Sequence, residues 1–88
     1  MIETLVAQAD RLATEGQLEQ AKDLYIRICQ FAPHRARFWF RLAELQYKLE
    51  CFEDCQRALE YALRLEPFNP AILLLASVAL LETGHYAQ

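Results

Sequence analysis

The sequence predicts an all-α chain in which one helical hairpin recurs every 34 residues. Three observations lead there. Apolar residues return every three or four positions along most of the chain, which is the spacing of one helix face. Displacing the sequence by 34 lays Pro33 on Pro67, Ala9 on Ala43, and Leu18 on Phe52. Two glycines and three prolines in 88 residues leave little material for turns, so the elements must be few and long.

The first helix is expected over 2–15, where Leu5, Ala9 and Leu12 share a face. Gly16 ends it, because glycine reaches the left-handed conformation that closes a helix. A second helix over 18–31 turns Leu18, Ala21, Leu24, Tyr25 and Ile28 inward, and Pro33 follows an end that it cannot extend. The third, over 36–49, carries Trp39, Leu42 and Ala43, with Glu50 standing where the first unit has Gly16. The fourth, over 52–65, carries Phe52, Cys55, Leu59 and Ala62 and stops before Pro67. Asn69-Pro70 opens the fifth, over 70–83, as a capping side chain followed by proline in the first turn. Gly84 and Tyr86 then repeat the positions of Gly16 and Leu18. Across the copies large residues stay large (Leu5, Trp39, Leu73) and small ones stay small (Ala9, Ala43, Ser77; Ala21, Cys55). Small residues at those places let two helix backbones approach.

This helix–turn–helix pattern resembles the tetratricopeptide repeat. The middle unit carries the resemblance through Trp39, Leu42, Ala43, Ala62 and Pro67, and the first through Ala9, Gly16, Ala21, Tyr25 and Pro33. Gln46 in place of the usual tyrosine, Glu50 in place of the turn glycine, and Cys55 in place of alanine depart from the family pattern without breaking its packing logic. The resemblance implies five helices stacked as a right-handed α-solenoid. It also implies one domain over 1–88, with units 2–35 and 36–69 and a partial third unit over 70–88. The first helix of that third unit, AILLLASVALLE, is apolar on every face, whereas terminal repeats usually keep a polar outer face. The chain is therefore expected to be a fragment of a longer array or multidomain protein.

Composition narrows the function. A net charge of −3 and a pI near 5.3 argue against a nucleic-acid binder, which needs many phosphate-neutralising cations. The apolar helix is shorter than the roughly 20 residues that span a bilayer, so no membrane role is expected. Three cysteines do not make a disulfide framework, and the acidic residues Glu3 and Asp10 interrupt any leader-like start, which points to the cytoplasm. Cys51 and Cys55 stand one turn apart, but no second pair completes a zinc site, and Cys55 fits a core position. His34 and His85 fall at turns, and no nucleophile sits in a catalytic motif. No enzymatic activity, metal or cofactor is expected.

The pairs Glu44–Lys48, Glu53–Arg57 and Glu60–Arg64 have the spacing of a solvated helix face. The cluster His34, Arg35, Arg37, Arg41 is different, because it crowds cations at a helix N-terminus, where the dipole disfavours them. Either a bound anionic group or a nearby acidic helix would offset it. The family resemblance implies a concave groove lined by the first helix of each unit. That groove would show Val6, Asp10 and Ala13, then Arg37, Phe40, Arg41, Glu44, Tyr47 and Lys48, then Leu74, Leu75, Val78 and Leu81. A protein or peptide partner with an acidic group and an apolar face would suit it. The carboxylate clamp of the family's chaperone-binding members is missing, since Val6, Asp10, Arg41, Ala71 and Leu75 stand at its positions. The apolar helix 70–83 is expected to mediate self-association, most simply as a dimer. Two rival readings are an accessory domain of an enzyme whose catalytic part lies beyond residue 88, and a helical-repeat RNA binder.

Overall fold

The computed structural model describes residues 2–83. Among these residues the chain forms five α-helices and no strand: α1 Ile2–Thr14, α2 Leu18–Phe31, α3 Ala36–Lys48, α4 Phe52–Leu65 and α5 Pro70–Thr83. Helices α1 and α3 stop one residue before the expected ends, as the closing residue enters the turn. The expected turn at Gly84, His85 and the Tyr86 counterpart of Leu18 lie outside the described residues.

The backbone repeats at the interval read from the sequence. Gly16 and Glu50, 34 positions apart, both have positive φ, at 84° and 63°. Each closes its turn with the same pair of bonds. Gly16 N–H donates to Ala13 at 3.1 Å and Gln17 N–H to Leu12 at 2.8 Å; Glu50 N–H donates to Tyr47 at 3.0 Å and Cys51 N–H to Gln46 at 2.8 Å. These bonds satisfy carbonyls that a helix end leaves open. The second turns match as well: Ala32 N–H donates to Ile28 at 2.9 Å and Glu66 N–H to Ala62 at 2.8 Å.

Packing follows chain order. Helix α1 lies on α2 and α3 on α4, while α2 meets α3 and α4 meets α5; α5 also touches α3. The result measures 43 × 26 × 18 Å. Ala9, Ala21, Ala43, Cys55 and Ala62 are wholly buried among Ile28, Leu59 and Ile72, as a register of small and large positions requires. The register does not carry through the third unit: Ser77, the counterpart of Ala9 and Ala43, and Leu73, the counterpart of Leu5 and Trp39, are exposed, because only the first helix of that unit lies among the described residues.

Trp39 differs from the buried core residue that its position suggests. It is half-buried, its ring is stacked on Tyr61 at 4.6 Å and 18°, and its indole N–H donates to the Pro33 carbonyl at 2.9 Å. Its large apolar body packs on α4 while its polar edge ties the start of α3 to the preceding turn. Among the described residues no helix is long and apolar enough to cross a membrane.

Candidate binding face on the first helices

Helices α1 and α3 face each other across a cleft of about 280 Å³ lined by Asp10, Ala13, Thr14, Tyr25, Arg41, Glu44, Leu45 and Lys48. Asp10 and Glu44 occupy the same repeat position on α1 and α3, and Arg41 stands between them. Its guanidinium lies 3.8 Å from Asp10 Oδ1 and 3.3 Å from Glu44 Oε1. The Tyr25 hydroxyl, coming from α2, donates to the same Asp10 oxygen at 2.6 Å. On the same helix Thr14 Oγ1 donates to the main-chain carbonyl of Asp10 at 2.9 Å, not to its carboxylate. Burial, reinforced by the bond to Asp10, pushes the Tyr25 phenol up to about 12, so it remains a donor across the physiological range.

This arrangement accounts for part of the basic cluster. An acidic neighbour on α1 and another on α3 already face Arg41, so its position does not require an anionic ligand. Arg37 is exposed and lies over the Phe38 ring, 5.9 Å from its centroid. Lys48 is exposed at the rim of the cleft.

The structure thus gathers Arg41, Glu44 and Lys48 of the expected groove residues with Asp10 and Ala13. It does not bring Arg37, Phe40 or Tyr47 into the cleft. Phe40 and Tyr47 are half-buried against the core, and Tyr47 meets Phe52 edge-on at 5.5 Å while its hydroxyl donates to Glu82 on α5 at 3.2 Å. On α5, Leu74 is exposed, whereas Leu75 and Val78 are half-buried. Leu75 and Val78 are the counterparts of Arg41 and Glu44, so the repeat positions that are charged on α3 turn aliphatic on α5. Tyr25 is the cleft residue that the sequence pattern assigned only to the core. The available signal was its hydroxyl at a position where the other unit has Leu59, since a buried phenol needs a partner.

The expected surface pairs are replaced by closer ones. Arg41–Glu44, Arg57–Asp54 at 3.1 Å and Lys22–Glu19 at 3.1 Å are all three residues apart. Arg64 lies over the Tyr61 ring at 5.4 Å instead of pairing with Glu60, so the Tyr61 ring is in contact with both Arg64 and Trp39. Exposed pairs contribute little to stability, so such exchanges cost little.

Comparison with known protein families and with curated proteins finds no match.

Proposed function

We propose that this chain is a tetratricopeptide-like module, its hairpins stacked as a right-handed α-solenoid, that holds a segment of a partner protein along α1, α3 and α5. The observation that carries this reading is the 34-residue repetition of both turn hydrogen bonds and buried small residues. A repeated hairpin sets the first helices side by side and so makes an extended face. Along that face the repeat positions run from charged, at Asp10, Arg41 and Glu44, to aliphatic, at Leu74, Leu75 and Val78. A peptide or amphipathic helix with one acidic group near Arg37, another near Lys48 about 16 Å along α3, and an apolar side toward Leu74 complements that gradient.

Arg41 is a poor reporter of binding, because Arg41→Glu would crowd a third carboxylate beside Asp10 and Glu44. The exposed cations Arg37 and Lys48 are the better choice. Peptides selected from a random display library on the immobilised chain supply the probe, and calorimetry measures their affinity. Arg37→Glu with Lys48→Glu should weaken binding at least about tenfold, the scale of one lost charge-assisted contact. Glu53→Lys on α4 should leave it unchanged. Equal affinity of the double variant and the parent would remove the groove from consideration.

A further inference from the structure

The two hairpins differ on their outer side. In the second, the Trp39 ring of α3 is stacked on Tyr61 of α4, and Arg64 lies over the same Tyr61 ring. Displaced by 34, Trp39, Tyr61, Arg64 and Leu65 become Leu5, Arg27, Gln30 and Phe31. These four residues line a hollow of about 540 Å³ between α1 and α2. That is a volume typical of small-ligand sites. The hollow has a local cause: leucine is shorter than an indole, and Arg27 brings no ring to meet it.

These positions are open in their own right. Tyr61, Arg64 and Leu65 are exposed although α2 and α5 pack on either side of the second hairpin. In the first hairpin Phe31 forms one wall and is 70% exposed. Arg27 is exposed and makes no ion pair among the described residues. The acid of this region, Glu3, lies with Ile2 and Thr4 in an adjoining hollow and is not among the four.

We propose that this outer groove of the first hairpin holds an aromatic side chain of a partner protein segment, with an acidic residue beside it paired to Arg27. The second hairpin supplies the occupant's chemistry, because there the same positions receive an indole from the chain itself. In the first hairpin the ring comes from outside. It stacks on the Arg27 guanidinium where the second hairpin has the Tyr61 ring, with Phe31 as the other wall. Guanidinium planes stack on aromatic faces, and their N–H edge remains free to hold a carboxylate. The site shares no residue with the α1–α3 cleft, so it stands or falls independently of the face proposed above.

Nuclear magnetic resonance titration of the 88-residue chain with N-acetyl-Trp-Glu-amide tests it. Backbone signals of Leu5, Arg27, Gln30 and Phe31 should shift together and saturate with a Kd of about 1 mM. Changing the peptide's Trp to Leu, or its Glu to Lys, should each weaken binding at least about fivefold, and so should Arg27→Glu. Leu5→Trp builds the ring into the chain. It should abolish peptide binding and raise the melting temperature by about 2 °C or more, because it fills the hollow with apolar surface. Circular dichroism checks that each variant keeps its helices. Absence of saturable shifts, shifts centred on Asp10 and Arg41, or equal affinity for the Glu and Lys peptides would each overturn the proposal. So would a Leu5→Trp chain that binds as well as the parent or melts below it. Concentration-dependent shifts of the same four residues without peptide would assign the groove to Phe68 of a second copy, 89% exposed, and would overturn it too.

Discussion

At position 50 a glutamate holds the left-handed conformation that Gly16 takes in the first unit, with φ of 63° against 84°. A side chain in that region costs roughly 1–2 kcal/mol. Glu50→Gly should therefore raise stability by about 1 kcal/mol, less what glycine gives back through its freer unfolded chain. Gly16→Ala should lower it by a similar amount, although nothing lies within 4 Å of the added methyl, because the cost is conformational. Urea unfolding of the two variants checks both signs, and equal effects in the same direction would dismiss the argument. Gln46 is the second residue out of keeping with its surroundings. It is 7% exposed, and among the described residues no donor reaches its Oε1. Its counterparts in the other units are Leu12 and Leu80. Burying an unmet amide oxygen costs about 1–3 kcal/mol, so Gln46→Leu should stabilise the fold by at least about 1 kcal/mol. A lower melting temperature for this variant would show that the amide is needed where it stands.

Compared with α2, α3 and α4, α5 has a start built by a side chain. Asn69 Oδ1 accepts from Ala71 N–H at 2.9 Å, and its amide donates to Glu66 at 2.8 Å. Helices α2, α3 and α4 begin at Gln17, Arg35 and Cys51 with no side-chain cap. Their hairpins rely on packing; α5, with its apolar pattern on all sides, has a defined first turn. Asn69→Ala should cost about 1 kcal/mol, read as a lower unfolding midpoint with the slope unchanged. The α3–α4 pair is joined at its outer side by the Trp39–Tyr61 stack. Trp39→Ala removes that stack, the bond to Pro33 and part of the inter-helix contact. Because the indole is only half-buried, the loss should sit near the lower end of the 3–5 kcal/mol range for large aromatic deletions, about 3 kcal/mol. Thermal melts followed by circular dichroism measure it; a shift of only a degree or two would mean that the stack contributes nothing to the hairpin.

For the molecule as a whole, three protons are held inside the helix stack. Burial pushes the thiols of Cys29 and Cys55 up to about 12 and about 11, and Tyr25 up to about 12. All three folded values lie above those of the unfolded chain, near 9 for a thiol and 10 for a phenol. The folded state therefore keeps its protons longer. Its full stability is present below about pH 9 and is lost as pH rises through about 11–12. Melting temperatures measured at about pH 8 and about pH 10.5 should differ by several degrees, and Tyr25→Phe should remove part of the fall. A flat profile would mean that these groups are hydrated in the folded chain.

Much of the architecture was legible in the residues themselves. The helices, the 34-residue interval, the left-handed turn at Gly16 and the buried small positions all follow from local spacing and backbone conformation, which act over a few neighbours. Two features needed the tertiary structure. Asp10, Tyr25, Arg41 and Glu44 converge from three helices, and periodicity within each helix says nothing about which charges meet across the space between them. The outward face of α5 was equally hidden, because a helix apolar on every side carries no preferred direction of its own. Packing of Ile72 and Ala79 against the core, and no pattern within α5 itself, turned Leu73, Leu74, Ser77 and Leu81 to the surface.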